Sequence, residues 1–284
     1  MSTQEQARQD GDTYGLQRNT PSSIRLNAQH YIWKDAVGGN LHSRIAVNNA
    51  STTRVADIGT GTGIWMHDMK REYPAIQIDG FDISLEQAPH PAWLPPDIRL
   101  HKLDVTKAIP DEFCEQFDII HLRLFLAVVQ DNDASPIIRN LISMLKPGGW
   151  LQWAEHPFQD LGDVRVEAPS PDVSSTAMQA YLDLAQAGSD KKWAWVPKLP
   201  RTFSSLGLID VESSSPPSKP YTWLYSTQLI MGAVLEISYQ ILDNSTPESK
   251  GPVMRRIIEA ACGDMRNGVY LTYSPLVVIG RKRL

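Results

Sequence analysis

The sequence is poor in cysteine: Cys114 and Cys262 are its only two among 284 residues. Two isolated cysteines exclude a disulfide framework and a cysteine-built zinc site, and they fit a reducing compartment. Basic clusters are equally scarce. The longest is Arg281-Lys282-Arg283, in a chain of net charge −5. The footprint of a nucleic-acid binder is therefore missing, and the triplet reads as a solvated chain end. No apolar run approaches the roughly 18 residues that a membrane span requires. Met1 to Thr13 is polar throughout, so no secretory signal is expected and a cytoplasmic protein is the default reading.

What is present is a strand–helix alternation. Ser22 to Ile45 reads as a helical region, with Ser22 or Ser23 as the cap and Gly38-Gly39 as a break. Arg54 to Ile58 reads as a buried strand, Gly63 to Tyr73 as a helix and Gln77 to Ile83 as a second strand. Pro89, Pro91, Pro95 and Pro96 leave room for no more than a helical turn before the third strand, Ile98 to Val105. Phe117 to Leu122 is a fourth strand. Ser135-Pro136 opens a helix, serine as the cap and proline at the first position. Lys146-Pro-Gly-Gly149 closes it before a fifth strand, Trp150 to Glu155. The later chain reads as helices over 176–187, 222–242 and 252–262, with strands over 208–212 and 276–281. Strands alternating with helices imply a mostly parallel sheet covered on both faces.

The feature that carries chemistry is Asp57-Ile-Gly59-Thr-Gly61-Thr-Gly63. It follows a buried strand and opens a helix, where free N–H groups and side-chain-free backbone accept a ligand closely. Dinucleotide folds space the last glycine three residues after the second. Here Gly63 lies two after Gly61, and Asp57 lies two before Gly59. That G-x-G-x-G pattern matches the S-adenosylmethionine (SAM) loop of class I methyltransferases. A P-loop is excluded because no Lys-Ser/Thr follows. Asp82 ends the second strand about 20 residues on, where a carboxylate accepts from two ribose hydroxyls. Asp104, read as the end of the third strand and followed by Val105, suits an adenine contact. His121 and Arg123 fall near the carboxyl end of the fourth strand, the ligand edge of an open α/β sheet, as candidates for binding the cofactor's methionine part or the substrate.

These segments, with Leu145 to Glu155 and the upstream Arg25-Leu-Asn-Ala-Gln29-His30 and Trp33, resemble fungal class I SAM-dependent small-molecule methyltransferases. The group includes the gliotoxin-pathway N-methyltransferase and, more distantly, the velvet-associated regulator of secondary metabolism. The resemblance runs from about Tyr14 to Glu155. It implies a Rossmann-like class I methyltransferase fold: one domain over 1–284, with a helical lid (1–50), a SAM-binding core (51–155), and late lid insertions plus the last two strands of a seven-stranded sheet (156–284). It also implies cofactor contacts at Asp57, Gly59, Gly61, Gly63, Asp82, Asp104 and Val105, with Tyr14, Arg18, Gln29 and Trp33 closing over the methionine end.

Methyl transfer needs the acceptor aligned in line and kept dry, and a phenol or amine acceptor gains from a base. His30, His121, Glu155 and His156 are the candidates, although Glu155 could instead pair with Arg123. No metal pattern stands out. The expected partner is a small molecule, an apolar or aromatic natural product, and a homodimer is left open. Trp193, Trp195, Tyr221, Trp223, Tyr225 and Tyr239 are either its pocket or core. Three other readings stay open: a SAM-retaining cyclase on the same fold, a methyltransferase-like regulator, and an NAD-dependent oxidoreductase.

Overall fold

The computed structural model describes residues 16–47, 51–156, 164–186, 193–240, 242–243 and 250–284. Helix α1 spans Thr20–Val37. Its cap is Asn19, not Ser22 or Ser23: the Asn19 Oδ1 accepts from Ser22 N at 3.0 Å and from Ser22 Oγ at 2.8 Å. A free side-chain oxygen one residue ahead of the first turn satisfies an orphan N–H, and the two serines are left inside the helix. The helix stops at left-handed Gly38, well short of Ile45.

Strand β1 (Arg54–Ile58) leads into α2 (Ile64–Glu72), and β2 (Gln77–Asp82) into a proline-rich connection with one helical turn at Pro91–Trp93. Strand β3 covers only Ile98–Lys102. The last ladder bond runs from Leu103 N to Asp82 O, and the strand ends there because Asp104 Oδ1 accepts from both Thr106 N and Thr106 Oγ1 and turns the chain. Asp104 and Val105 therefore stand in a turn past the strand. Strand β4 (Phe117–Arg123) is followed by α3 (Ser135–Met144). Here too the capping group sits upstream: Asp133 Oδ1 accepts from Ser135 N, and Ser135 is already helical. Strand β5 runs Leu145–Glu155, absorbing the Lys-Pro-Gly-Gly segment through a register shift against β4.

The later chain adds β6 (Arg165–Glu167), α4 (Thr176–Gln186), α5 (Leu199–Ser205), β7 (Ile209–Ser214), α6 (Trp223–Gln240), α7 (Lys250–Arg266), β8 (Tyr270–Thr272) and β9 (Leu276–Arg281). The large sheet has the order β3-β2-β1-β4-β5-β9-β7, and only β9 runs against its neighbours. The chain winds outward from β1 through β2 to β3, then returns to the other side with β4 and β5. The order thus reverses between β1 and β4, and their carboxyl ends open the crevice in which such sheets bind ligands. Asp57 and His121 are register partners across it.

One core lies under α3 and α5, with Phe81, Phe117, Leu122 and Trp153 fully buried. A second joins α1, α4, α6, α7 and the two-stranded sheet β6–β8 through Trp33, Met178, Tyr181, Met254 and Leu271. The late aromatic residues do not assemble a common pocket. Trp195 is buried against Trp153 in the first core, whereas Tyr221, Tyr225 and Tyr239 are exposed.

Candidate active site

The three loop glycines do different work. All have positive φ, of +68° at Gly59, +52° at Gly61 and +72° at Gly63. A Cβ on Gly59 would stand 2.7 Å from the Phe125 ring, and one on Gly63 would press on Met66 and Pro89. Those two positions are closed by the protein itself. Gly61 meets only ordinary contact from Leu26, and its N–H donates to Asp82 Oδ2 at 2.9 Å. Asp82 Oδ1 accepts from Ser84 N. Each oxygen uses one lone pair and keeps another. Burial pushes this carboxyl up, against the two backbone N–H groups and the charge of Arg18. A half-buried carboxylate with spare acceptor capacity, at the end of β2 and against a glycine loop on a helix N-terminus, fits a ribose with two hydroxyls.

Asp57 does not face solvent. Its Oδ2 accepts from Thr60 Oγ1 at 2.7 Å, and its Oδ1 from His121 Nδ1–H at 2.9 Å. A carboxylate can only accept, so the tautomer is fixed and Nε2 of His121 carries the lone pair. The His121 ring stacks flat on Trp65, with centroids 4.0 Å apart. Burial keeps the imidazole neutral, against the pull of Asp57.

A second buried relay lies beside the first. His30 Nε2–H donates to Asp68 Oδ2, which also receives Lys34 at 2.6 Å and Asn40 at 2.9 Å. Burial pushes Asp68 up, but those three hydrogen bonds outweigh it and hold the group at about 2. His30 Nδ1 in turn accepts from Arg123 Nη2 at 3.1 Å. Burial, then the charge of Arg123, lowers His30 to about 4. The relay ties α1 to α2 and to the end of β4. Asp68, Lys34, Asn40, Trp65 and Phe125 went unnoticed in the sequence, because nothing local marks residues whose roles depend on partners tens of positions away.

Glu155 is fully buried. Its Oε2 accepts from Phe125 N at 2.7 Å and from Trp153 Nε1, and its Oε1 from His156 N. The pairing with Arg123 considered from sequence is not formed; three N–H groups closer to the strand end take both oxygens. Burial lifts Glu155 to about 8. His156 is wedged edge-on against Trp33 and Tyr273 and is lowered by burial to about 3. Gln29 is half-buried on α1 beside His30. Tyr14 lies outside the described residues. Among the described residues, no group of three or more His, Cys, Asp or Glu side chains could hold a metal, and no helix is long and apolar enough to cross a membrane.

A reversing parallel sheet with a glycine loop, a strand-end carboxylate and a helix N-terminus at one crevice defines a Rossmann-like nucleotide-cofactor protein. Residues 31–197 match the methyltransferase domain family, and the chain belongs to it. SAM is accordingly its cofactor. The match reaches past Glu155, where the likeness read from sequence stopped. Curated relatives include the methyltransferase grgD of a Penicillium species, 29% identical over 150 residues (50% of this chain, 52% of grgD). The N-methyltransferase tcpN of Claviceps purpurea is 28% identical over 205 residues, 68% of each chain. This chain thus spans about half the length of grgD and about two thirds of tcpN. Among solved structures, the Haloferax volcanii partner of the Trm112 methyltransferase activator shares the fold, with a TM-score of 0.54 at 14% identity, over 96% of this chain and 99% of that one.

Proposed function

We propose that this chain transfers a methyl group from SAM to a small organic acceptor of fungal secondary metabolism. The observation that carries the reading is the hydrogen bond from Gly61 N to Asp82, which joins the glycine loop to the ribose carboxylate in one cradle. The names of the relatives, methyltransferase and N-methyltransferase, support a small-molecule acceptor. When bound, the cofactor supplies a methyl carbon made electrophilic by its sulfonium.

The chain's own part is then to bind, orient and dry. Asp57, Gly59, Gly61, Gly63 and Asp82 form the cofactor cradle in this reading, and the Asp104–Val105 turn stands at its adenine end. Residues 16–47 act as the N-terminal cover and the segments after Glu155 as the acceptor side of a single domain. His121 is the best placed base, because Asp57 fixes its Nδ1–H and leaves Nε2 to accept a proton. His30 has both ring nitrogens engaged, and Glu155 has both oxygens engaged, so they position neighbours; His156 packs between Trp33 and Tyr273. Alignment supplies most of the acceleration, and acceptors that arrive already nucleophilic need no proton removed.

The test is incubation with methyl-labelled SAM and extracts or candidate metabolites of the producing fungus. Label in a small-molecule product is the expected result. A rearranged product without label would replace transfer by cyclisation, and binding of NAD but not SAM would end the reading.

A further inference from the structure

The turn that follows β4 has a backbone shape its sequence does not favour. Leu124 has a φ of +60°, a left-handed value that a leucine keeps only where its surroundings impose it. Two contacts impose it here. Leu124 N donates to Ala154 O at 3.0 Å, and the next N–H, that of Phe125, donates to Glu155 Oε2 at 2.7 Å. The same oxygen accepts from Trp153 Nε1, and the Trp153 ring meets the Phe125 ring edge-on. Glu155 is fully buried, and its three partners are N–H groups, none of them cationic. A buried carboxyl without a cation is costly to keep, and one turn N–H alone could be met by a neutral acceptor. What the turn delivers is the Phe125 ring, seated so closely on Gly59 that a Cβ there would stand 2.7 Å from it. From the other flank, Gly59 N and Thr60 N both donate to Phe81 O. The first glycine of the loop is thus held between β2 and the turn that Glu155 fixes.

We propose that Glu155 is a positioning residue for the cofactor cradle: it clamps the Leu124–Phe125 turn, and Phe125 in turn holds Gly59 in the shape that receives the ligand. Glycine has the widest backbone freedom of any residue, and freedom lost on binding lowers affinity. A Gly59 already pinned from both flanks has less to lose. The line of contact runs from the end of β5, across the end of β4, to the loop after β1. One side chain therefore links three strand ends at the crevice. Glu155 acts through Phe125 and not on the cofactor, because its oxygens are taken by Phe125, Trp153 and His156. The inference rests on the reading that this loop cradles the cofactor; the clamp itself belongs to the fold and can be tested apart from it.

Calorimetry with S-adenosylhomocysteine tests this line of contact. Glu155→Leu, which cannot accept a hydrogen bond, and Phe125→Leu, which vacates the face of Gly59, should each weaken binding about tenfold. The double variant should also lose about tenfold, because both changes break one link. A loss of about a hundredfold would show that Glu155 acts independently of Phe125 and overturn the proposal. Glu155→Gln keeps an oxygen for Phe125 N but turns its NH2 on His156 N. It should melt lower than the wild type yet bind within about threefold of it. Wild-type affinity in folded Glu155→Leu, or an equal loss in Glu155→Gln and Glu155→Leu, overturns the proposal. If Glu155→Leu does not fold, amide hydrogen exchange in Glu155→Asp decides, since the shorter side chain draws the carboxyl off Phe125 N. The Phe125, Gly59 and Thr60 amides should then exchange about tenfold faster relative to Ile58, and an unchanged ratio overturns the clamp. A wild type that does not bind S-adenosylhomocysteine would end the cradle reading, while the exchange ratio would still test the clamp.

Discussion

Between residues 51 and 156, the buried charges come in hydrogen-bonded sets: Asp57 with Thr60 and His121, Asp68 with His30, Lys34 and Asn40, Asp79 with Arg54 and His101. Between residues 164 and 284 the interior is mostly apolar, and the buried Tyr181 hydroxyl and Gln186 amide have no partner among the described residues. The first region adds directional contacts that tolerate little change to the apolar packing around Phe117 and Trp153. The second is held by bulk packing, which many sequences satisfy. In the proposed reading this difference has a reason: the cofactor must be gripped in one geometry, whereas an acceptor side is free to vary.

The glycines give the widest test of that contrast. Gly59→Ala places a methyl 2.7 Å from the Phe125 ring, at a φ of +68°. Overpacking and left-handed strain together should cost about 2–4 kcal/mol in urea unfolding, with loss of cofactor binding. Gly263 lies inside α7 with nothing within 4 Å of an added Cβ. Gly263→Ala should stabilise by about 0.5–1 kcal/mol. Destabilisation by Gly263→Ala, or a tolerated Gly59→Ala, would erase the distinction.

Acid should act through the polar network. His30 is held at about 4 and His156 at about 3, both below the ordinary 6.5. Lowered base pKa values mean that the unfolded chain binds more protons below pH 6.5. Stability should be intact above that pH and fall as pH drops toward 4, by roughly 2–3 kcal/mol per histidine. Glu155, raised to about 8 from 4.5, acts in the opposite sense, its contribution lost progressively as pH rises from 4.5 to 8. Two histidines outweigh one carboxyl below pH 6.5, so melting temperature against pH should peak near 6.5 and decline toward 8. In His30→Asn the loss on going from pH 6.5 to 4 should shrink; an unchanged slope would show that His30 does not stay neutral in the fold.

The smallest effect belongs to the late region. Tyr181→Phe removes a buried hydroxyl that has no partner among the described residues, so stability should change by less than about 1 kcal/mol, with a gain favoured. A loss above about 2 kcal/mol would reveal a hydrogen bond there and blur the contrast between the regions.

Legibility followed the same line. The strand–loop–helix from Arg54 to Glu72, the carboxylate at Asp82 and the fourth and fifth strands were readable, because local spacing encodes them. The caps lie upstream of the serines that the sequence offers, since Asn19, Ser22 and Ser23 can all cap and only the position of the first turn selects one. The third strand reads too long from the sequence because Leu103 and Val105 continue its alternation, while the Asp104 side chain closes a turn on Thr106. Strands β6 and β8, three residues each, are too short to show a period. The relay of His30, Asp68 and Arg123, and the seating of Phe125 on Gly59, join residues 38 to 93 positions apart and leave no local mark.

The central claim is that the Asp57–Gly63 loop and Asp82 grip the nucleoside of SAM. Titration calorimetry of S-adenosylhomocysteine into the wild type and into folded Asp82→Ala tests it most directly. Removing two charge-assisted hydrogen bonds to the ribose should weaken binding by about 2–4 kcal/mol, roughly 30- to 1,000-fold. Equal affinity in the two proteins would contradict the account.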